Sequence, residues 1–218
     1  MTRKSIILLF LFFISLNHKL VSQEIVDIYK NLSVKLTDLN SRQKDSLFQN
    51  KKFVTPESDS ISTIVYFIDT IDIKNNYLSI YYNYTPGQAG WIKYEFRLFK
   101  SKSKKILIVS KVGGVRVSHQ QNYFNIYIVG KDNSIKQIKQ NWTINKLEFF
   151  DANTGNDFLV ANEGMFCFNY EINPREYPNG IAFMANPCYT LEPRIAEIQK
   201  KKVIKIDWTG QGFVKENN

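Results

Sequence analysis

The chain has 218 residues and a net charge of +9 at pH 7, and it contains two histidines and two cysteines. These counts exclude a zinc site built from several histidines outside the N-terminal segment or from four cysteines. No segment after the N-terminus is apolar over the roughly 20 residues that a membrane-spanning helix needs.

The N-terminal 22 residues have the pattern of a secretory signal peptide. Arg3 and Lys4 form a basic start, residues 6–16 are apolar, and residues 20–23 resemble a cleavage region. The apolar run would span about 16 Å as a helix, too short for a bilayer core of roughly 30 Å. A buried core helix is the alternative. We expect cleavage of residues 1–22 and a secreted or periplasmic protein.

About 196 residues remain after cleavage, enough for one domain or two small ones. The removed segment contains three basic residues and no acidic residue, so the net charge falls from +9 to +6. An exported protein of this modest charge is not expected to bind nucleic acid, whereas a glycan or an extracellular protein remains open as a partner. In an oxidising compartment we expect a disulfide between Cys167 and Cys188; two buried free thiols are the alternative.

The first part of the mature chain, residues 23–55, has a helical pattern. Apolar residues recur at steps of three and four from Ile25 to Leu36, which places them on one helical face. Asp38 or Ser41 is expected to cap a second short helix.

The rest of the chain, residues 56–218, has the period of two that is typical of strands. The expected strands cover residues 62–70, 77–84, 92–98, 106–111, 123–129, 136–142, 147–150, 158–161, 165–172, 181–184 and 203–208. Turn residues separate them, and no helical pattern intervenes. The sequence therefore predicts a mainly β fold, an antiparallel, hairpin-rich sandwich or an open barrel or sheet, after a short N-terminal helical segment.

The clearest strand pattern lies at residues 92–98. Apolar Tyr94 and Phe96 alternate with charged Glu95 and Arg97. We expect one face of this strand to be buried and the other to be exposed to water.

A short pattern occurs twice, at residues 136–143 and 202–209, where Lys, Ile, Lys, Trp and Thr recur at equal spacing. Duplicated hairpins would place Trp142 and Trp208 at equivalent, mostly buried positions. A shared hairpin composition without duplication is the alternative.

Taken as a whole, the chain resembles small exported proteins of Bacteroidota-type bacteria, most of them uncharacterised. The resemblance rests on the short signal that ends near Ser22 and Gln23, on residues 94–100 and on the strand ending at residues 206–213. It implies no particular activity and no site residues.

No catalytic motif is recognisable, so we predict no cofactor and favour a non-enzyme. The histidine of the mature chain, His119, lies in a polar stretch without a nucleophile motif. A glycan-acting hydrolase or lyase would need two convergent carboxylates, for which Glu148, Asp151, Glu163 and Glu171 are candidates.

Residues 151–157 alternate oxygen-bearing side chains in the way that calcium loops do. Gly155 occupies a ligand position and a fourth strong acid is missing. A solvated turn is therefore favoured over calcium, and we predict no metal site.

Three aromatic residues, Tyr81, Tyr84 and Trp91, surround a predicted turn at residues 85–90. Exposed aromatic rings stack on sugars and anchor protein interfaces, whereas closure of the core is the alternative. The sequence thus predicts an exported, non-catalytic binding module for a glycan or a protein, with these residues as the candidate site. A glycan-acting hydrolase or lyase and a proteinaceous inhibitor of an extracellular enzyme are the alternatives.

Overall fold

The structure is a computed structural model that describes residues 24–55, 64–84, 90–115, 120–150, 166–187 and 201–216. Within these ranges the chain forms two antiparallel sheets, with a helical segment before them. The predicted mainly β fold with an N-terminal helical segment is confirmed, and the two packed sheets form a sandwich.

The larger sheet has seven strands in chain order, each antiparallel to its neighbours. They are β1 (Lys52–Val54), β2 (Ile64–Asp72), β3 (Tyr77–Tyr84), β4 (Gly90–Lys100), β5 (Lys105–Val115), β6 (Gln120–Val129) and β7 (Ile135–Ile138). This up-and-down order is what short turn-linked strands favour.

The smaller sheet has four strands in the order β11, β10, β9, β8. Its strands are β8 (Phe166–Glu171), β9 (Gly180–Pro187), β10 (Val203–Trp208) and β11 (Phe213–Lys215). All three pairings are antiparallel.

Three short helices precede the sheets: α1 (Glu24–Asn31), α2 (Val34–Thr37) and α3 (Ser41–Asn50). The N-cap of α3 is Asn40. Its side chain accepts a hydrogen bond from the backbone N–H of Gln43, and the side chain of Gln43 accepts one from the backbone N–H of Asn40. This capping box satisfies two groups that a helix start leaves unpaired. The prediction that Asp38 or Ser41 caps the helix now labelled α3 is wrong. Asp38 ends α2 in a left-handed conformation, and Ser41 is the first residue of α3.

The helices cover one face of the seven-stranded sheet, which we call the helix face. Ile25, Ile28 and Leu47 of the helices share one core with strand residues of that face, among them Leu78 and Phe96. This core consists of apolar and tyrosine side chains. Beside it the helices also bury Lys44, whose ammonium donates to the backbone oxygens of Lys30 and Leu32.

The four-stranded sheet packs against the opposite face, which we call the sheet face. Here the second core joins Ile106, Ile108 and Ile126 of the larger sheet to Ile181 and Ile206 of the smaller one. The apolar contact lies near the β4–β5 turn and does not extend along the full length of the strands.

The expectation that the charged side of β4 faces water is wrong. Glu95 is 2% exposed and Arg97 is 3% exposed. They lie on the sheet face, where β8 and the β8–β9 connection approach them. Alternation in a strand fixes which residues share a face, but a second layer can cover that face.

Residues 147–150 do not form the predicted strand. Lys146–Phe149 is a 3-10 helix, because Asn145 accepts from the backbone of Leu147 and Glu148 accepts from the backbone of Asn145. This local capping overrides the short apolar run.

Trp142 and Trp208 are not in equivalent positions. Trp142 lies beyond the end of β7, an edge strand, and is 7% exposed, whereas Trp208 ends the inner strand β10 and is half-buried. Both rings nevertheless contact Phe213, at centroid distances of 5.4 Å and 5.1 Å.

Several predictions fall outside the described residues: the signal peptide at residues 1–22, His119, residues 151–157, the strand at 158–161, and Cys188. Among the helices that the structure describes, none has the length and apolar character needed to cross a membrane.

Candidate functional site

Three aromatic rings cross the sheet face from β2 to β4. Tyr81 and Trp91 are parallel within 10°, with centroids 5.8 Å apart, and Phe67 lies 5.0 Å from Tyr81. The register explains the grouping, because Phe67 pairs with Tyr81 directly and Trp91 pairs with Asn83, the next residue on that face. We call Phe67, Tyr81 and Trp91 the aromatic row; all three are half-buried.

Two of the three aromatic residues predicted from the sequence therefore come together. Tyr84, the third, ends β3, and its backbone pairs with Ile64 on the side away from Trp91. The side chain of Tyr84 and the turn at residues 85–89 lie outside the part that is described. Phe67 was not predicted, although it completes the row.

Charged and hydroxyl side chains continue the sheet face directly below the aromatic row. We call Asp69, Ser79, Lys93 and Glu95 the polar strip. Lys93 pairs with Tyr81 in the register, and its ammonium lies 2.9 Å from a carboxylate oxygen of Glu95. Ser79 donates a hydrogen bond of 2.7 Å to Asp69.

A bulge in β2 places Asp69 in this strip. The β2–β3 register shifts between Ile68 and Thr70, which leaves Asp69 as the extra residue of a bulge. A bulge re-aims the side chain it carries. Asp69 is exposed, whereas Glu95 is buried and also accepts a 2.5 Å hydrogen bond from the Tyr77 hydroxyl.

A third carboxylate, Glu171, faces the strip from β8. Burial, and after it the charge of Glu95, raises the pKa of Glu171, although the backbone N–H of Asn173 donates to it at 2.8 Å. Burial acts to lower the pKa of Lys93, but the carboxylates of Glu95, Glu171 and Asp69 together outweigh it and raise that pKa. The strip therefore keeps its lysine charged while it favours the neutral form of Glu171.

Arg97, one rung further along β4, has a structural role. Its guanidinium donates to the backbone oxygens of Ile172, Tyr177, Pro178 and Gly180. Burial lowers the pKa of Arg97 to about 10, which still leaves it charged at neutral pH. Arg97 thus fixes the β8–β9 connection against the sheet face and positions Glu171 beside the strip.

Of the other predicted carboxylates, Glu148 is described, and it lies outside this site. Glu148 forms an ion pair with Lys215 at 2.8 Å and caps the 3-10 helix. Asp151 and Glu163 lie outside the described ranges. Among the residues that the structure describes, no group of three or more His, Cys, Asp or Glu side chains is arranged to hold a metal ion.

Aromatic surface beside fixed charges can bind a ring-shaped polar ligand. Sugar rings present C–H faces that stack on aromatic rings, and their hydroxyls bond to carboxylates and ammonium groups. The rings available for stacking are those of Phe67, Tyr81 and Trp91. The groups available for hydrogen bonds to the hydroxyls are those of Asp69 and Lys93.

Comparisons with known proteins define the fold only. No protein-family model matches the chain, and no curated protein matches it. A solved structure, a domain of an uncharacterized protein from Porphyromonas gingivalis W83, is similar with a TM-score of 0.58 at 12% sequence identity. The match covers 91% of this chain and all of that one.

Proposed function

We propose that this protein is an exported, non-catalytic binding module that binds a glycan at the aromatic row. The observation that carries the proposal is the parallel stacking of Tyr81 and Trp91 beside the charged groups of the polar strip. A protein ligand is the other partner that this surface fits.

The placement of the row supports a ligand site more than a closed core. The three rings remain half-buried, and the polar strip separates them from the apolar core between the sheets. A core position would favour apolar neighbours, because burying charges without a ligand or a partner costs free energy. Rings next to fixed hydrogen-bonding groups on a rigid sheet are a preorganised site.

Export is part of the proposal and rests on the N-terminal pattern. Sequencing of the protein from the exported fraction should find its N-terminus near Gln23. An intact Met1 in that fraction would reject the signal peptide.

A disulfide between Cys167 and Cys188 would suit the exported compartment. Cys167 is buried in β8 opposite Asn186, and Cys188 follows Asn186 by two positions in the sequence. Among the described residues no cysteine is a free thiol, which supports the bridge. Thiol labelling of the unreduced, denatured protein should find no free cysteine; two labelled thiols would reject it.

The binding proposal is tested on a glycan array, followed by calorimetric titration of the glycans that bind. Trp91→Ala and Phe67→Ala should each lower the affinity more than about tenfold, as expected when a central aromatic contact is lost. Phe53→Ala is the matched control, because Phe53 is a half-buried phenylalanine of the neighbouring strand β1 that packs on the helix face.

Two outcomes would contradict the proposal. Either no glycan on the array binds, or Phe53→Ala weakens binding as much as Phe67→Ala. In the first case the same variants should be tested against extracellular proteins, and binding that depends on Trp91 would make the partner a protein.

A glycan-acting hydrolase is a second candidate, favoured by the pairing of Glu95 with Glu171. A carboxyl group whose pKa is raised by burial and by a neighbouring carboxylate is the arrangement expected of a general acid. Incubation with each bound glycan should release products if this function holds, and Glu171→Gln should abolish the release while Glu148→Gln leaves it unchanged. Absence of products from the wild-type protein would leave the non-catalytic function.

A further inference from the structure

A cleft lies at the opposite end of β4 from the aromatic row. It opens between the segment after β7 and the β10–β11 hairpin, and it has about 460 Å³ of space including its mouth. Its floor is apolar: Ile106, Ile126, Trp142 and Phe213 are all buried. Ile138 and Trp208 are half-buried and form its walls.

The rim of this cleft is positively charged. Lys104, in the β4–β5 turn, and Lys139, just after β7, line it, and none of the described residues that line it is acidic. Lys104 donates to the backbone oxygen of Gln211 at 2.9 Å, which holds its ammonium at the mouth and leaves its other protons for a ligand. Lys139 is exposed and forms no ion pair with any residue that the structure describes.

Two amide side chains add polar groups to the same rim. Asn141 donates to the backbone oxygen of Phe213 at 3.0 Å, so that its own carbonyl oxygen is held in a fixed orientation. Gln211 is exposed in the turn of the β10–β11 hairpin. The rim therefore offers two cations and two amides above an apolar floor.

From this arrangement we propose that the cleft is a second binding site, for a small carboxylate with an apolar body. The apolar part packs between Ile138, Trp142 and Trp208, and the carboxylate lies between Lys104 and Lys139. A carboxylate is negatively charged and accepts hydrogen bonds, so it matches two ammonium groups that have no acidic neighbour among the described lining residues. An apolar floor matches an aliphatic or aromatic body and excludes a simple inorganic anion as the preferred ligand.

The site is independent of the aromatic row. None of its lining residues belongs to the row or to the polar strip, and a whole strand length separates them. A failure of glycan binding would therefore not remove this inference, nor would its failure affect the glycan site.

The test uses octanoate as the probe. 1-Octanol is the control ligand without a charge, and inorganic phosphate is the control ligand without an apolar body. Binding is followed by calorimetry and by tryptophan fluorescence in Trp91→Phe, so that the signal comes from Trp142 and Trp208, which line the cleft. Octanoate should bind and change the fluorescence. 1-Octanol should bind at least about tenfold more weakly, because it lacks the charge, and phosphate should cause no change.

The variant Lys104→Gln/Lys139→Gln should lower the affinity for octanoate at least about tenfold. The matched control is Lys136→Gln/Lys205→Gln, which removes the same charge from exposed lysines of β7 and β10 outside the cleft. All four lysines are on or near the surface, so both variants should fold, as their circular dichroism would show.

Three results would overturn the proposal. Equal loss in the control variant would mean that only net charge attracts the probe. Equal binding of 1-octanol would mean that the lysines are not used, and equal binding of phosphate would mean that the apolar floor is not used.

Discussion

The two faces of the seven-stranded sheet are buried in different ways. The helix face is buried mainly through apolar side chains, with Leu78, Ile80 and Phe96 in one core with the helices. The sheet face changes along its strands from the apolar core between the two sheets to the polar strip and then to the aromatic row. A face that carries charged and aromatic side chains beside an apolar core offers both the hydrogen-bonding groups and the ring surfaces that a ligand needs.

The difference also shows what each face requires energetically. Burial of apolar surface stabilises the helix face directly. Burial of Glu95 and Arg97 is tolerated only because each has partners: Tyr77 and Lys93 for Glu95, and four backbone oxygens for Arg97. Substitutions should therefore destabilise the helix face through lost apolar burial and the sheet face through lost partners of buried polar groups.

The largest effect is expected on the helix face. Phe96→Ala should lower the free energy of unfolding by about 3–5 kcal/mol, because Phe96 is fully buried and its removal leaves a cavity. Urea denaturation measures the change. A loss below about 1 kcal/mol would mean that the helices do not pack tightly on this face.

On the sheet face, Arg97→Lys should cost about 2–3 kcal/mol. A lysine has a single terminal nitrogen and cannot reach all the backbone oxygens that the guanidinium contacts, so buried acceptors lose their donor. The same denaturation experiment applies, with Arg175→Lys, an exposed arginine of the β8–β9 connection, as the control. Equal, small effects in both variants would show that Arg97 does not hold this connection.

The smallest effect is on the pH dependence of stability. The pKa of Glu171 is raised in the folded state, so folding favours its neutral form, and stability should fall as the pH rises from about 4.5 through the folded pKa. Glu171→Gln should remove this loss, so that the stability of the variant relative to the wild type increases as the pH rises. Urea midpoints between pH 4 and pH 8, ~0.5 pH units apart, measure it.

Glu148→Gln is the control with the opposite sign. The hydrogen bond from Lys215 lowers the pKa of Glu148, so its contribution to stability is present above about 4.5 and is lost as the pH falls. Parallel pH profiles for the wild type and Glu171→Gln would contradict the raised pKa of Glu171.

Much of the fold follows from the sequence, because its signals are local. The steps of three and four around Ile25 predict a helix, and the period of two from Ile92 to Leu98 predicts a strand. What a local pattern cannot give is the layer above a face. Glu95 and Arg97 were expected in water for that reason, and they are buried under residues 70 or more positions away.

The same limit applies to the candidate site: the part within one hairpin could be predicted from the sequence, and the part contributed by the neighbouring strand could not. Tyr81 and Trp91 flank one turn, so their closeness follows from a single hairpin. Phe67 and Asp69 join them only through the β2–β3 register and its bulge, and neither is encoded in a local motif. A search for aromatic residues on all strands adjoining the hairpin would have included Phe67 but not the orientation of Asp69.

The most direct test of the account is the protection of Trp91 by a bound glycan. In a protein with Trp142→Phe and Trp208→Phe, the remaining tryptophan signal comes from Trp91 alone. We predict that the glycan selected on the array reduces acrylamide quenching of Trp91, and that Phe67→Ala abolishes this reduction. Glycan binding that leaves the quenching of Trp91 unchanged would contradict the aromatic row as the binding site.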